Sequence, residues 1–243
     1  MLDGVYVKGE KRYDFYDFTG RYGHGDFIKF LVLKGYAHKD QRPTIEKMRQ
    51  EGMIFILKHS SLEWKRALKY LKRAKMIARE SHCYSRQVGA IVVNKNGIDI
   101  RTGYNGPSKG FPHCETRHPE GKKECPRRYM AKKEGREFRS GENLHMCPAV
   151  HAERNIICLA SQTHVSTDET VMYTDGGFSC QDCAKEMVQA GIKKAVFTTF
   201  KEYSPIEGTI NALDIFYYGR VNLYLFMETG LLEDTGNENK QGV

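Results

Sequence analysis

From Ser60 onward the apolar positions follow two distinct rhythms. Trp64, Ala67, Leu68, Leu71, Ala74 and Ala78 recur every three or four residues, with Arg66, Lys69, Lys72 and Arg73 on the opposite side. That spacing predicts a helix burying one stripe and solvating its basic face. Ser60 stands as its N-cap, and Glu63 three residues later completes a capping box. Two β-rich runs follow within VGAIVVNKNGIDIRTGYNG, and the Asn-Gly between them signals a hairpin turn. Further on, helical patterns over 150–160, 180–190 and 206–216 alternate with apolar runs at 170–174, 194–199 and 220–226. Such alternation predicts an α/β fold of three layers, α/β/α, around a mixed, largely parallel five-stranded sheet.

Three segments fall outside that rhythm. Residues 1–58 are dense in aromatic and charged side chains, with short apolar runs at 27–33 and 53–57 and no motif. They read as an N-terminal extension, an accessory layer or oligomer contact, ahead of a domain spanning 59–229. Residues 107–142 form a glycine-rich, charged insertion carrying Cys114, His118 and Cys125. A loop of that length inside a compact domain requires something to pin it. The tail, 230–243, is polar throughout and is expected to be disordered.

Composition changes the picture in two ways. The 243 residues contain seven cysteines, no apolar leader, and no run of about 18 apolar residues that would span a membrane. A reducing, cytoplasmic setting is expected, in which cysteines serve metal binding, catalysis or burial rather than a disulfide framework. The formal charge of +8 suits an anionic partner but does not separate a nucleotide from a polynucleotide.

The chemistry concentrates in HMCPAVHAERN and GGFSCQDC. Cys180 and Cys183 open a helix, where two thiolates can converge on one ion beside the positive end of the helix dipole. A redox pair is the rival reading of Cys-x-x-Cys. His151 begins the preceding helix, one strand away, so two helix starts can face each other at one sheet edge. Three protein ligands leave a fourth tetrahedral position for water, the arrangement of a catalytic zinc. Glu153, two residues from His151, is placed to move protons to and from that water.

These residues resemble the zinc-dependent nucleoside and nucleotide deaminases, whose signature is H-x-E followed by C-x-x-C. The blocks ESHCYSRQVGAIVV, TGYNGPSKGFPHC, CPAVHAERN and CAKEMVQAGIKKAVF resemble deoxycytidylate deaminases in the same order, across residues 62–200. The resemblance implies a cytidine-deaminase-like fold and hydrolytic conversion of dCMP to dUMP with release of ammonia, by zinc-bound hydroxide and a Glu153 proton shuttle. It also implies homo-oligomers, often hexamers, and control by dCTP and dTTP with Mg2+.

The same resemblance suggests substrate-binding residues. Asn105 matches an asparagine near the sugar hydroxyl, although turn chemistry explains Asn-Gly equally well. Ala152 and Ser179 border the base, and Arg86 and Lys109 are phosphate candidates. The family usually reads Ser-Pro-Cys-x-x-Cys, whereas this chain has Phe178 and Ser179 before Cys180. Loss of the proline is expected to loosen that loop and puts the substrate preference in question.

Four further cysteines, Cys83, Cys114, Cys125 and Cys147, flank the hairpin and the insertion. They could bind a second, structural zinc, with His145, His113 or His118 as a replacement ligand, or be separately buried thiols. Cys158 is assigned to the core. Alternatives to dCMP are dCTP or a 5-substituted dCMP, a polynucleotide cytidine deaminase, or a zinc-binding interaction protein with a degenerate site. A nucleotide is favoured over nucleic acid, and no membrane partner is expected.

Overall fold

A computed structural model of the chain describes residues 42–57, 59–138, 142–199 and 212–227. The first apolar run, the predicted helix start at 206 and the polar tail lie outside them. The elements run α1 (Arg42–Gln50), β1 (Ile54–Ile56), α2 (Leu62–Ala78), β2 (Gly89–Val93), β3 (Asp99–Tyr104), β4 (Gly106–Pro107), α3 (Cys114–Arg117) and α4 (Pro126–Lys133). After a 3₁₀ turn (Leu144–Met146) come β5 (Ala149–Val150), α5 (Ala152–Gln162), β6 (Val171–Thr174), α6 (Gln181–Gln189), β7 (Lys194–Phe197), α7 (Ala212–Tyr218) and β8 (Asn222–Leu225).

The sheet is mixed, as expected, but has six strands rather than five, in the order β1-β8-β7-β6-β2-β3. Strands β6, β7, β8 and β1 run parallel, and β2 is antiparallel to both β6 and β3. The sixth strand lies inside the predicted N-terminal extension. Ile54, Phe55 and Ile56 pair with Leu223, Tyr224 and Leu225. The boundary drawn at residue 58 therefore falls after an integral edge strand. A three-residue strand is too short to show alternation, which explains why its apolar run reads only as an accessory patch.

Alternation along the strands divides the core in two. Ile54, Ile56, Ala90, Val92, Met172, Ala195, Phe197, Leu223 and Leu225 face α1, α5, α6 and α7. Their neighbours Phe55, Ile91, Val93, Tyr173, Val196 and Tyr224 face α2. The buried stripe of α2 is Trp64, Ala67, Tyr70, Leu71, Ala74 and Ala78. Tyr70 joins it because its ring is buried while its hydroxyl donates to Gly97 O at 2.6 Å, tying the helix to the hairpin turn. The N-cap is Ser61, not Ser60: Trp64 N donates to Ser61 Oγ at 3.1 Å. Ser60 instead adopts a left-handed φ of 65° before the helix.

Cys158 corrects another expectation, because it lies on the exposed side of α5 rather than in the core. The buried stripe of that helix is Ala152, Glu153, Ile156 and Ala160. Close approach to the sheet sets where α5 begins. A Cβ on Gly103 of β3 would stand 2.7 Å from Ile156 Cγ1 and 3.1 Å from Ala152 O, so glycine there lets the first turn of α5 rest on the strand. No helix among the described residues is long and apolar enough to cross a membrane.

Candidate active site

The starts of α5 and α6 meet at one edge of the sheet. His151 is the N-cap of α5 and Cys180 the N-cap of α6, both in extended backbone and neither using its side chain to cap. Both side chains are thereby free to turn toward each other. Nδ1 of His151 lies 3.4 Å from Sγ of Cys180 and 3.4 Å from Sγ of Cys183. The ligand atoms of these three residues all fall within 4.8 Å of one another, the one such group among the described residues. One imidazole and two sulfurs at that spacing fit tetrahedral zinc chemistry, with a position left open.

The two thiols are not equivalent. A hydrogen bond from Cys183 and a second contact with His151 lower the pKa of Cys180 to about 4. The same bond, with burial, pushes Cys183 up. The pair thus favours a thiolate on Cys180 over one on Cys183, and His151, bonded to Cys180, is held above the ordinary imidazole value. Arg154 on α5 and Glu186 on α6 close the gap between the two helices, Nη2 to Oε1, at 2.8 Å.

Glu153 is buried, 5% exposed, although it follows His151 by only two residues. Its charge acts on His151 and Cys183. Ser179, itself 1% exposed, donates from Oγ to Glu153 Oε1 at 3.0 Å. The loop bearing Ser179 is anchored despite the missing proline. Gly177 takes a left-handed φ of 95°, and Phe178 turns into the core, edge-on to Phe197 at 4.9 Å and to Phe216 at 5.8 Å.

Other predicted residues lie at varied distances from this centre. Ala152 is buried in the first turn of α5. Asn105 commits its amide to the backbone, accepting from Val88 N at 2.8 Å and donating to Arg86 O at 2.9 Å. It thus braces the loop bearing Arg86, whose guanidinium donates to Gly176 O and feels the charge of Glu153. Lys109 is exposed in the turn after β4. Neither the Ser179 hydroxyl contact nor the Arg154–Glu186 bridge is readable from spacing, since each joins elements far apart in the chain.

The four remaining thiols gather in one corner. His82 and His113 lie ring to ring at 5.0 Å, and Tyr84 donates to Glu115 Oε2 at 2.9 Å, which sets Cys83 beside Cys114. Arg117 donates to Met146 O at 3.1 Å and α4 packs on the 3₁₀ turn, drawing in Cys147 and Cys125. Burial and the charges of Cys125, Cys83 and Cys147 push the Cys114 thiol up. The four sulfurs do not reach the mutual spacing of the His151 group, and His145 is exposed on the 3₁₀ turn.

The sequence pattern of the family described as the cytidine and deoxycytidylate deaminase zinc-binding region matches residues 64–199, more than half of the chain. The chain belongs to this family. The Schizosaccharomyces pombe protein named deoxycytidylate deaminase is 33% identical over 130 residues, covering 54% of this chain and 36% of that protein. The enterobacteria phage T4 protein of the same name is 35% identical over 147 residues, covering 52% of this chain and 74% of that one. The match thus spans about a third of the first and three-quarters of the second. Among solved structures, the dCMP deaminase of cyanophage S-TIM5, in complex with dCMP and dUMP, is 26% identical. It covers 69% of this chain and 100% of that one, at a TM-score of 0.47. The zinc-binding region of the family contains the His151, Cys180 and Cys183 group.

Proposed function

We propose that the chain hydrolyses dCMP to dUMP and ammonia. The observation that carries this reading is a buried glutamate, Glu153, beside a group of one histidine and two cysteines at metal-ligand spacing. The names of the S. pombe and phage T4 relatives favour dCMP over other substrates. His151, Cys180 and Cys183 would hold zinc, which when bound supplies the Lewis acidity that brings the pKa of a water to about 7. Glu153 takes the proton of the attacking water and delivers it to N3 of the base, then gives a second to the departing amine. The new C4–O bond replaces the C4–N4 bond, so one water enters and one ammonia leaves. Burial keeps Glu153 away from bulk water, so its protons pass to the substrate.

The test pairs a nucleotide panel with one substitution. Wild-type protein releasing ammonia from dCMP faster than from dCTP or 5-substituted dCMP supports the reading. Glu153→Gln should abolish turnover while zinc stays bound, and turnover retained in that variant would overturn the proton shuttle. Salt-dependent binding to single-stranded DNA with no dCMP turnover would favour a polynucleotide substrate instead.

We further propose that Cys83, Cys114, Cys125 and Cys147 close on a second, structural zinc that pins residues 107–142. Its support is the convergence of their flanking residues on one corner. Four thiolates around one ion would order an insertion that has little core of its own. Metal analysis should return two zinc per chain, falling to one in Cys114→Ser. A stoichiometry of one in the wild type would remove the second site.

A further inference from the structure

We infer that Ser179 is a positioning residue for Glu153, fixing through its hydroxyl which carboxylate oxygen is free to exchange protons with the substrate. The inference rests on the proposed deaminase reading and adds a residue to its machinery. Ser179 Oγ and Glu153 Oε1 are 3.0 Å apart, and both side chains are buried, at 1% and 5% exposure. A hydroxyl carries a single hydrogen, and an ionised carboxylate accepts only, so Ser179 donates and Glu153 receives. Among the described residues, the other polar contact of the hydroxyl is the Met187 sulfur, at 3.5 Å, a weak acceptor that competes poorly with a carboxylate.

The geometry gives this bond leverage. Glu153 is the second residue of α5, whereas Ser179 precedes α6, so the bond crosses between the two helices that carry His151, Cys180 and Cys183. A glutamate has three side-chain torsions, and one fixed oxygen removes most of their freedom. With Oε1 engaged, Oε2 is the oxygen left to face the reacting atoms. Ser179 is itself held rigidly: Phe178 before it is locked among Phe197 and Phe216, and Cys180 after it begins α6. A proline at this position would have no donor to offer. The departure of GGFSC from the usual pattern therefore replaces a conformational constraint on the backbone with a hydrogen bond to the proton carrier.

The test compares Ser179→Ala with Ser179→Thr and Ser179→Pro, all assayed with dCMP, with zinc content and Tm recorded for each. Removing a hydrogen bond to a charged group is expected to lower kcat roughly 10-fold to 100-fold. KM should shift less than roughly threefold and zinc content should stay at the wild-type value, because the hydroxyl bonds Glu153 and touches Met187 rather than His151, Cys180 or Cys183. Ser179→Thr keeps the donor and should recover most of kcat. Should its extra methyl lower Tm, the Ala variant still decides. Unchanged kcat in Ser179→Ala, or an equal loss in KM and zinc content, would overturn the inference. If Glu153→Gln itself stays active, the deaminase reading fails. If Glu153→Gln is inactive and Ser179→Ala is normal, only the positioning role fails.

Discussion

The imidazole of His151 stands 3.4 Å from the sulfur of Cys183, a thiol that burial and its neighbour Cys180 hold in the protonated form. Zinc entering this group must displace that proton, and His151, whose own pKa is raised, holds a proton more strongly than an ordinary imidazole. Cys180, at about 4, is already a thiolate across the neutral range. Metal binding therefore competes with protons, and affinity must rise with pH. Between pH 6 and pH 7 the apparent zinc affinity should rise by more than roughly tenfold, read by competition with a chelator of known affinity. Affinity that is flat over that interval would mean both groups are already deprotonated.

Gly103→Ala tests how tightly α5 is seated. The added methyl meets Ile156 Cγ1 at 2.7 Å and the carbonyl of Ala152 at 3.1 Å. The second contact is backbone, so the helix start itself must shift. Overpacking of this kind costs roughly 1–3 kcal/mol, a drop of several degrees in Tm. Since Ala152 follows His151 directly, the shift also displaces His151, the proposed ligand. The rise in Tm produced by added zinc should therefore be smaller in the variant than in the wild type, measured by calorimetry at one zinc concentration.

The start of α2 separates two adjacent serines. Ser61 accepts from Trp64 N, so Ser61→Ala should cost about 1 kcal/mol. Ser60 holds a left-handed φ of 65° on the exposed side of the cap. Ser60→Gly should be neutral or stabilising by up to about 1 kcal/mol, since glycine adopts that backbone without strain. Denaturant unfolding should show a loss of stability in Ser61→Ala and none in Ser60→Gly if Ser61 is the cap.

That pair of serines also marks what the sequence could carry. Either fits an N-cap rule, and the choice between them depends on where Trp64 finds its pocket beside Phe226, 5.3 Å away ring to ring. That contact spans most of the chain. Periodicity sufficed for the apolar stripe of α2, and alternation with helices for the strands β6, β7 and β8, but not for the three-residue parallel strand β1. It missed Tyr70, whose hydroxyl finds a partner only once the hairpin is folded, and it put Cys158 in the core although that residue, two positions from both Ile156 and Ala160, lies on the opposite side of the helix from the buried stripe. At the site, His-x-Glu and Cys-x-x-Cys were legible because the ligand types and the helix starts are local. The bond from Ser179 to Glu153 was not, since it depends on how closely two helix starts approach.

The edge strand β1 supplies the last prediction. Ile45, Met48, Ile54 and Ile56 are all at most 5% exposed and pack with Leu213, Phe216, Leu223 and Leu225. Phe55 stacks on Tyr224 at 5.0 Å on the opposite face, and Thr44 donates to Asp214 at 2.5 Å. Burying each large apolar side chain is worth roughly 1.5–3 kcal/mol, so these few residues rival the whole net stability of an ordinary domain, about 5–15 kcal/mol. Removing them also exposes the full edge of β8, an unpaired strand that invites association. A chain starting at Ser60 should lose its cooperative unfolding transition or aggregate, even though it retains every residue proposed for catalysis. An unfolding transition in that chain equal to the full chain's would show that β1 is dispensable, and the domain would then begin at the first long helix.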